Sequence, residues 1–371
     1  MVPILQLPRV QFDFGAVKTL PHELAALGIK RPLLLTDRGL AKSGVFARVC
    51  ETLPKSSYTV FDAIPENPTV AGVEAALAVY RGEGCDGVAG VGGGSVIDSS
   101  KAVALLATHA GRLDDYFGQP DKITAKVAPL IAIPTTAGTG SEASRGAGIH
   151  PNAIARSRSI GSPYLVPKVA ICDPDLTFSL PAHLTAGTGM DALTHCVEGY
   201  LSTFVSPPVD AIALHGVRRV ATYVERAVAD GKDCEARWQM MMAALEGGIS
   251  LGKGAGPAHA LANTLGDRGL HHGALVTLCM PAVMRTLEPH APDKMRHLAE
   301  AIGAAPGQSA ADAVEALSRK VGLPASVGAL GYGQGNLDEM AEDAAASFFN
   351  LRSPYKPTAA EYKDMLRQVL G

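Results

Sequence analysis

Short apolar runs alternate with amphipathic stretches through the first half of the chain. Residues 31–37 (RPLLLTD) read as a buried strand ending in a carboxylate, and residues 57–64 as the next strand. Residues 69–82 have helical spacing. Residues 86–91 (DGVAGV) form a short apolar run that leads into Gly92, Gly93, Gly94 and Ser95, and residues 96–108 then predict an amphipathic helix. Residues 129–133 and 169–172 are further strands. Continuous apolar strands separated by helices predict a doubly wound parallel sheet. Ahead of them, residues 9–14 fit a hairpin or pairing with another subunit, and the pattern does not choose.

From about residue 181 the period is helical. Residues 190–200, 209–229, 234–251, 257–265 and 273–285 are helix candidates, the last with Pro281 placed to kink it. At least three more helices are expected before Leu370. The chain therefore divides into an α/β domain with a parallel sheet, residues 1–178, and an all-α domain, residues 179–371; the motifs below assign them to dinucleotide and metal binding respectively.

Composition changes this picture little. With 371 residues, 47% of them hydrophobic and 19% charged, the chain can bury two cores. A net charge of −3 steers it toward neither nucleic acid nor a membrane surface, and no apolar run reaches the length of a membrane span. The start lacks the basic and apolar regions of a secretory signal, and the six cysteines show no C-x-x-C pairing. A cytoplasmic protein is the expectation.

Chemistry gathers at a few places. Asp191 and His195 are four apart, which on a helix puts a carboxylate and an imidazole on one face, one turn apart. Such a pair suits one divalent metal, or else a surface ion pair. His259 and His272 follow, the second in the triplet His271, His272, Gly273. One carboxylate and three imidazoles can close around a single ion. The stretch Gly92, Gly93, Gly94, Ser95 follows a strand and opens a helix, where free amides attract a phosphate; the alternative is a tight turn that binds nothing. Asp37, at the end of its strand, suits an adenosine ribose and disfavours a 2′-phosphate; it suits a helix cap equally. The run PTTAGTGSE at residues 134–142 offers the hydroxyls of Thr135, Thr136, Thr139 and Ser141 at another strand end, as a ligand-lining loop or as a flexible one.

Five ordered motifs then resemble one family over nearly the whole chain. They are GGGSxxDxxK (92–101), PTTAGTGSE (134–142), DPDLTFSLP (173–181), GMDALTHCVE (189–198) and HALANTLG with HHG (259–273). Together they resemble the iron-dependent, group III alcohol dehydrogenases. The resemblance implies a dehydroquinate synthase-like architecture and NAD(P)-linked interconversion of alcohol and aldehyde. It implies Fe(II), with Zn(II) the alternative, on Asp191, His195, His259 and His272. It implies NAD, with NADP second, on Asp37, Gly92, Gly93, Gly94, Ser95, Asp98, Thr135, Thr136, Thr139 and Ser141. The partners it implies are a small-molecule substrate and a second copy of the chain, in a homodimer or higher homo-oligomer.

Within the family, the opening segment, SRGAGI (144–149) and HHG look most similar to the bacterial 4-hydroxybutyrate dehydrogenases. That makes succinic semialdehyde the expected carbonyl substrate, with Arg145, Arg156 and Arg158 as candidate partners for its carboxylate. A maleylacetate reductase-like enzyme, or another small acidic-aldehyde reductase, is the nearest alternative. A lyase, a synthase or a nucleotide-binding protein on the same scaffold is the more distant one. The chain departs from the family pattern at Asn263, where a histidine usually stands, and at Ser157, which replaces a lysine. An amide is neither acid nor base near neutral pH, so proton transfer needs another route.

Overall fold

In the computed structural model, which describes residues 7–152, 155–266, 272–328 and 336–371, six short strands form one all-parallel sheet. They are β1 (Arg9–Phe12), β2 (Pro32–Leu35), β3 (Thr59–Phe61), β4 (Gly87–Gly92), β5 (Leu130–Pro134) and β8 (Val169–Cys172). Their order is β1-β8-β5-β4-β2-β3. β6 (Gly146–Ile149) and β7 (Arg158–Gly161) make a separate antiparallel pair. Every residue of β2, β4, β5 and β8 is buried, as expected of strands covered by helices on both faces. The covering helices are α1 (Leu20–Ala26), α2 (Arg38–Lys42), α3 (Val45–Cys50), α4 (Val70–Gly82) and α5 (Gly94–Leu106).

Local chemistry sets where these helices start. Asp37 caps α2 by accepting from the Leu40 amide, and Thr69 caps α4 by accepting from Gly72. The first strand is not a hairpin arm. It lies parallel to β8, Arg9 opposite Val169, at one edge of the sheet. Apart from β1, the order is the flavodoxin-like one. The chain runs from β2 outward to β3, then crosses back to β4 on the other side of β2. That reversal opens a crevice beyond the C-terminal ends of β2 and β4, where open α/β sheets bind ligands.

The second compact unit comprises residues 180–371 together with residues 137–140. Its helices are α6 (Ala182–Leu201), α7 (Pro207–Ala229), α8 (Cys234–Ser250), α9 (Pro257–Leu265), α10 (His272–Leu287), α11 (Pro292–Ile302), α12 (Ala310–Lys320), α13 (Leu337–Ala346) and α14 (Ala359–Leu370). α6 is its axis: all residues from Thr185 to Leu201 are buried. A helix buried on every side needs neighbours all round, and α7, α8 and α10 supply them. The buried Arg237 guanidinium fixes the entry of α6, donating to Thr185 Oγ1 at 2.9 Å and the Leu180 carbonyl at 3.3 Å. Each aliphatic side chain fully buried here contributes about 2 kcal/mol. No described helix is long and apolar enough to cross a membrane.

Candidate metal centre and cofactor site

α6 presents Asp191 and His195 on one face, and α9 brings His259 to them. One ligand atom from each of the three lies within 4.8 Å of the others. His195 Nε2 is 3.2 Å from His259 Nε2 and 3.5 Å from Asp191 Oδ1. The two imidazoles stack with centroids 5.0 Å apart. His272 opens α10, one residue earlier than the sequence pattern suggests, with its ring centroid 5.8 Å from that of His259. Gly273 is what lets α10 come this close to α6. A Cβ there would lie 2.5 Å from Asp191 Cβ and 2.6 Å from the Gly187 carbonyl oxygen.

The protonation pattern suits a cation. Glu198, one turn beyond His195 on α6, sits 2.6 Å from His259 Nδ1. A carboxylate only accepts, so Nδ1 carries a proton and donates it to Glu198, which turns Nε2 toward His195 and Asp191. Burial pushes the Glu198 carboxyl up, but His259 and the amides of Gly256 and Ala258 outweigh it and hold the group below its ordinary value. Burial holds the His195 imidazole below its ordinary value, with the Asp191 charge opposing. His195 Nδ1 is buried without a hydrogen-bond partner among the described residues. Two imidazoles converging nitrogen to nitrogen beside a buried carboxylate are a donor set that one divalent ion would satisfy.

In the α/β unit, the Gly-rich turn ends β4 and starts α5. Its N-cap is Gly93, with no side chain to satisfy the first amides of the helix. Thr136, just after β5, lies beside Gly93. Thr135 is buried, and its amide donates to the Gly92 carbonyl. Asp37 follows Leu35 by two residues as Gly92 follows Gly90, and Leu35 and Gly90 are paired, so Asp37 and the turn flank the same crevice. Asp37 Oδ1 is taken by the α2 cap, while Oδ2 makes no hydrogen bond among the described residues. The Ser95 hydroxyl is turned away, bonded to the Glu66 carbonyl.

Asp98 and Ser141 are bonded to each other and belong to a clamp around the fully buried Lys101 amine. Lys101 donates to Ser141 Oγ (2.9 Å), Ser144 Oγ (3.1 Å) and the Gly146 carbonyl (2.6 Å). Asp98 also accepts the Gly148 amide at 2.8 Å. Residues 141–148 are thereby tied to α5. Burial lowers the Lys101 amine and raises the buried Glu142 carboxyl to about 7.

The structure thus brings together Asp191, His195 and His259, with His272 at their edge, and separately Asp37, Gly92, Gly93, Gly94 and Thr136. Thr139 lies in the stretch that groups with the helices. Of the three arginines, Arg158 is held over the Phe117 ring at 4.5 Å, and Arg145 and Arg156 are exposed. Asn263 is half-buried on α9, one turn beyond His259. His271 and the segment before it lie outside the described residues. Sequence reasoning missed the role of Glu198, although it shares the helical spacing of Asp191 and His195. It also missed Phe349, whose ring centroid is 5.7 Å from that of His259 and for which no spacing signal exists.

Comparison with known proteins agrees with this arrangement. The family model for iron-containing alcohol dehydrogenase matches residues 8–174, and that for the Fe-containing alcohol dehydrogenase C-terminal domain matches residues 185–370. The 4-hydroxybutyrate dehydrogenase of Cupriavidus necator is 42% identical over the full length of both chains. The 1,3-propanediol dehydrogenase of Klebsiella pneumoniae is 36% identical over 98% of this chain and 97% of its own. Among solved structures, a 1,3-propanediol oxidoreductase superposes with a TM-score of 0.92 at 35% identity, covering 98% of this chain and 99% of its own. A sulfoacetaldehyde reductase from Bifidobacterium kashiwanohense in complex with NAD+ gives 0.90 at 27% identity, covering 100% and 99%. The parallel-sheet unit and the helical unit are those of the dehydroquinate synthase-like fold, and the chain belongs to the iron-containing alcohol dehydrogenase family.

Proposed function

We propose that the protein is an NAD-linked reductase of a small carboxylated aldehyde, with a divalent metal, Fe(II) or Zn(II), held by Asp191, His195, His259 and His272. The observation that carries this reading is the convergence of Asp191 Oδ1 and the Nε2 atoms of His195 and His259, with the Nδ1 of His259 pinned by Glu198. When bound, the ion supplies Lewis-acid polarisation of the substrate oxygen and the nicotinamide exchanges a hydride with the adjacent carbon. The chain does the positioning. The uncapped amides at the start of α5 receive the pyrophosphate, and Asp37 Oδ2 accepts from the adenosine ribose and repels a 2′-phosphate. Phe349 forms an apolar wall beside His259. Asn263 moves no proton, so the proton that completes the alcohol would come from solvent.

The choice of substrate is supported by the relative at 42% identity, a 4-hydroxybutyrate dehydrogenase. Succinic semialdehyde is accordingly the first aldehyde to test. NADH oxidation with it should vanish on chelation and return with Fe(II) or Zn(II). Turnover indifferent to chelation would remove the four residues from catalysis. Metal-restored turnover with other aldehydes alone would keep the site and discard the substrate.

A further inference from the structure

Glu198 accepts four N–H bonds with its two oxygens. One oxygen takes the Gly256 amide at 2.7 Å and His259 Nδ1 at 2.6 Å; the other takes the amides of Ala258 at 2.7 Å and His259 at 3.3 Å. The carboxylate thus caps α9 from another helix, since the N-cap of α9 is Gly256 and has no side chain. It also selects the tautomer of the histidine two residues into that helix. Gly256 leaves the space: a Cβ there would stand 3.1 Å from Glu198 Oε1 and 3.2 Å from its Cδ.

We propose that Glu198 is a positioning residue that holds His259 in the Nδ1-protonated tautomer, with Nε2 aimed at Asp191 and His195, through the same carboxylate that starts α9. This rests on the reading of Asp191, His195 and His259 as metal ligands. The two duties separate in E198Q. A glutamine has one accepting oxygen and one donating nitrogen. With the oxygen kept on the Ala258 and His259 amides, the nitrogen gives up the Gly256 bond and faces Nδ1. His259 then accepts there and protonates Nε2, the atom a metal needs.

Two readouts test this. Long-range proton–nitrogen NMR of the histidines in metal-free protein reports the tautomer, and competition with a chromophoric chelator gives the Zn(II) affinity. The expectation is Nδ1–H at His259 in the native protein, Nε2–H in E198Q, and Zn(II) binding weaker by about tenfold or more. G256A, which presses on an intact carboxylate, should weaken Zn(II) less; it also carries the test should E198Q fail to fold. Native Zn(II) binding with an unchanged tautomer and affinity in the variants would leave Glu198 as a helix cap only and overturn the proposal. A native protein that takes up no Zn(II) would instead fell the ligand reading. The tautomer comparison would then still decide the role of Glu198.

Discussion

Replacing Gly273 by alanine tests whether the approach of α10 to α6 builds the proposed metal centre. The added Cβ would lie 2.5 Å from Asp191 Cβ, 2.6 Å from the Gly187 carbonyl oxygen and 3.0 Å from Asp191 Cγ. Ordinary contact begins at 3.4 Å, so the shortest of these asks for about 0.9 Å of relief, the difference between 3.4 and 2.5. None of the three atoms is the far end of a flexible side chain. The helix must therefore back away, and it carries His272 at its first position. Overpacking of this kind costs about 1–3 kcal/mol, against which the better helix propensity of alanine offsets about 1 kcal/mol.

The proposed metal site should feel the change as well as the fold. Ligand distances are tolerated to about 0.2 Å, well short of the relief required. G273A should therefore lose up to about 2 kcal/mol in denaturant unfolding of the metal-free protein and bind Zn(II) at least about tenfold more weakly, or about 1.4 kcal/mol. Chelator competition measures the second quantity independently of turnover. An unchanged unfolding midpoint with native Zn(II) affinity would refute the reasoning, because α10 would then have slack at Asp191 and its glycine would serve no packing purpose.

Three further outcomes are expected. D37S should raise kcat/KM with NADPH relative to NADH, since it removes the charge facing a 2′-phosphate while keeping an α2 cap; an unchanged cofactor ratio would place the adenosine elsewhere. Glu142 is buried, Oε1 has no hydrogen-bond partner among the described residues, and its pKa is raised from 4.5 to about 7. A raised carboxyl favours the folded state below about pH 4.5 and loses that contribution, about 3 kcal/mol in all, as pH rises through about 7. Native stability should therefore fall relative to E142Q between pH 5 and 8, and parallel curves in denaturant titrations would contradict this. F349A should admit bulkier aldehydes, seen as a lower KM for a branched substrate than the native enzyme shows; an unchanged substrate profile would mean that the ring does not bound the pocket.

What could be read from the chain was whatever is local. Strands β2, β4, β5 and β8 show as continuous apolar runs because both their faces are covered. β1 did not resolve, because the strand it pairs with lies more than a hundred residues downstream and its own pattern, RVQF, is half polar. The same rule sorts the site. Asp191 and His195 are legible because one turn of one helix joins them. Glu198 follows the same spacing, yet its work is done on His259, 61 positions away, and on amides of another helix. Lys101 sits in a visible motif, but its partners at Ser141, Ser144 and Gly146 gather only when the sheet is built. Asp37 shows the limit from the other side. A carboxylate at a strand end reads equally as a helix cap and as a ribose ligand, since the same extended backbone serves both. With the α2 cap on Oδ1 alone, the second oxygen stays open to the proposed ribose contact, so the two readings do not exclude each other.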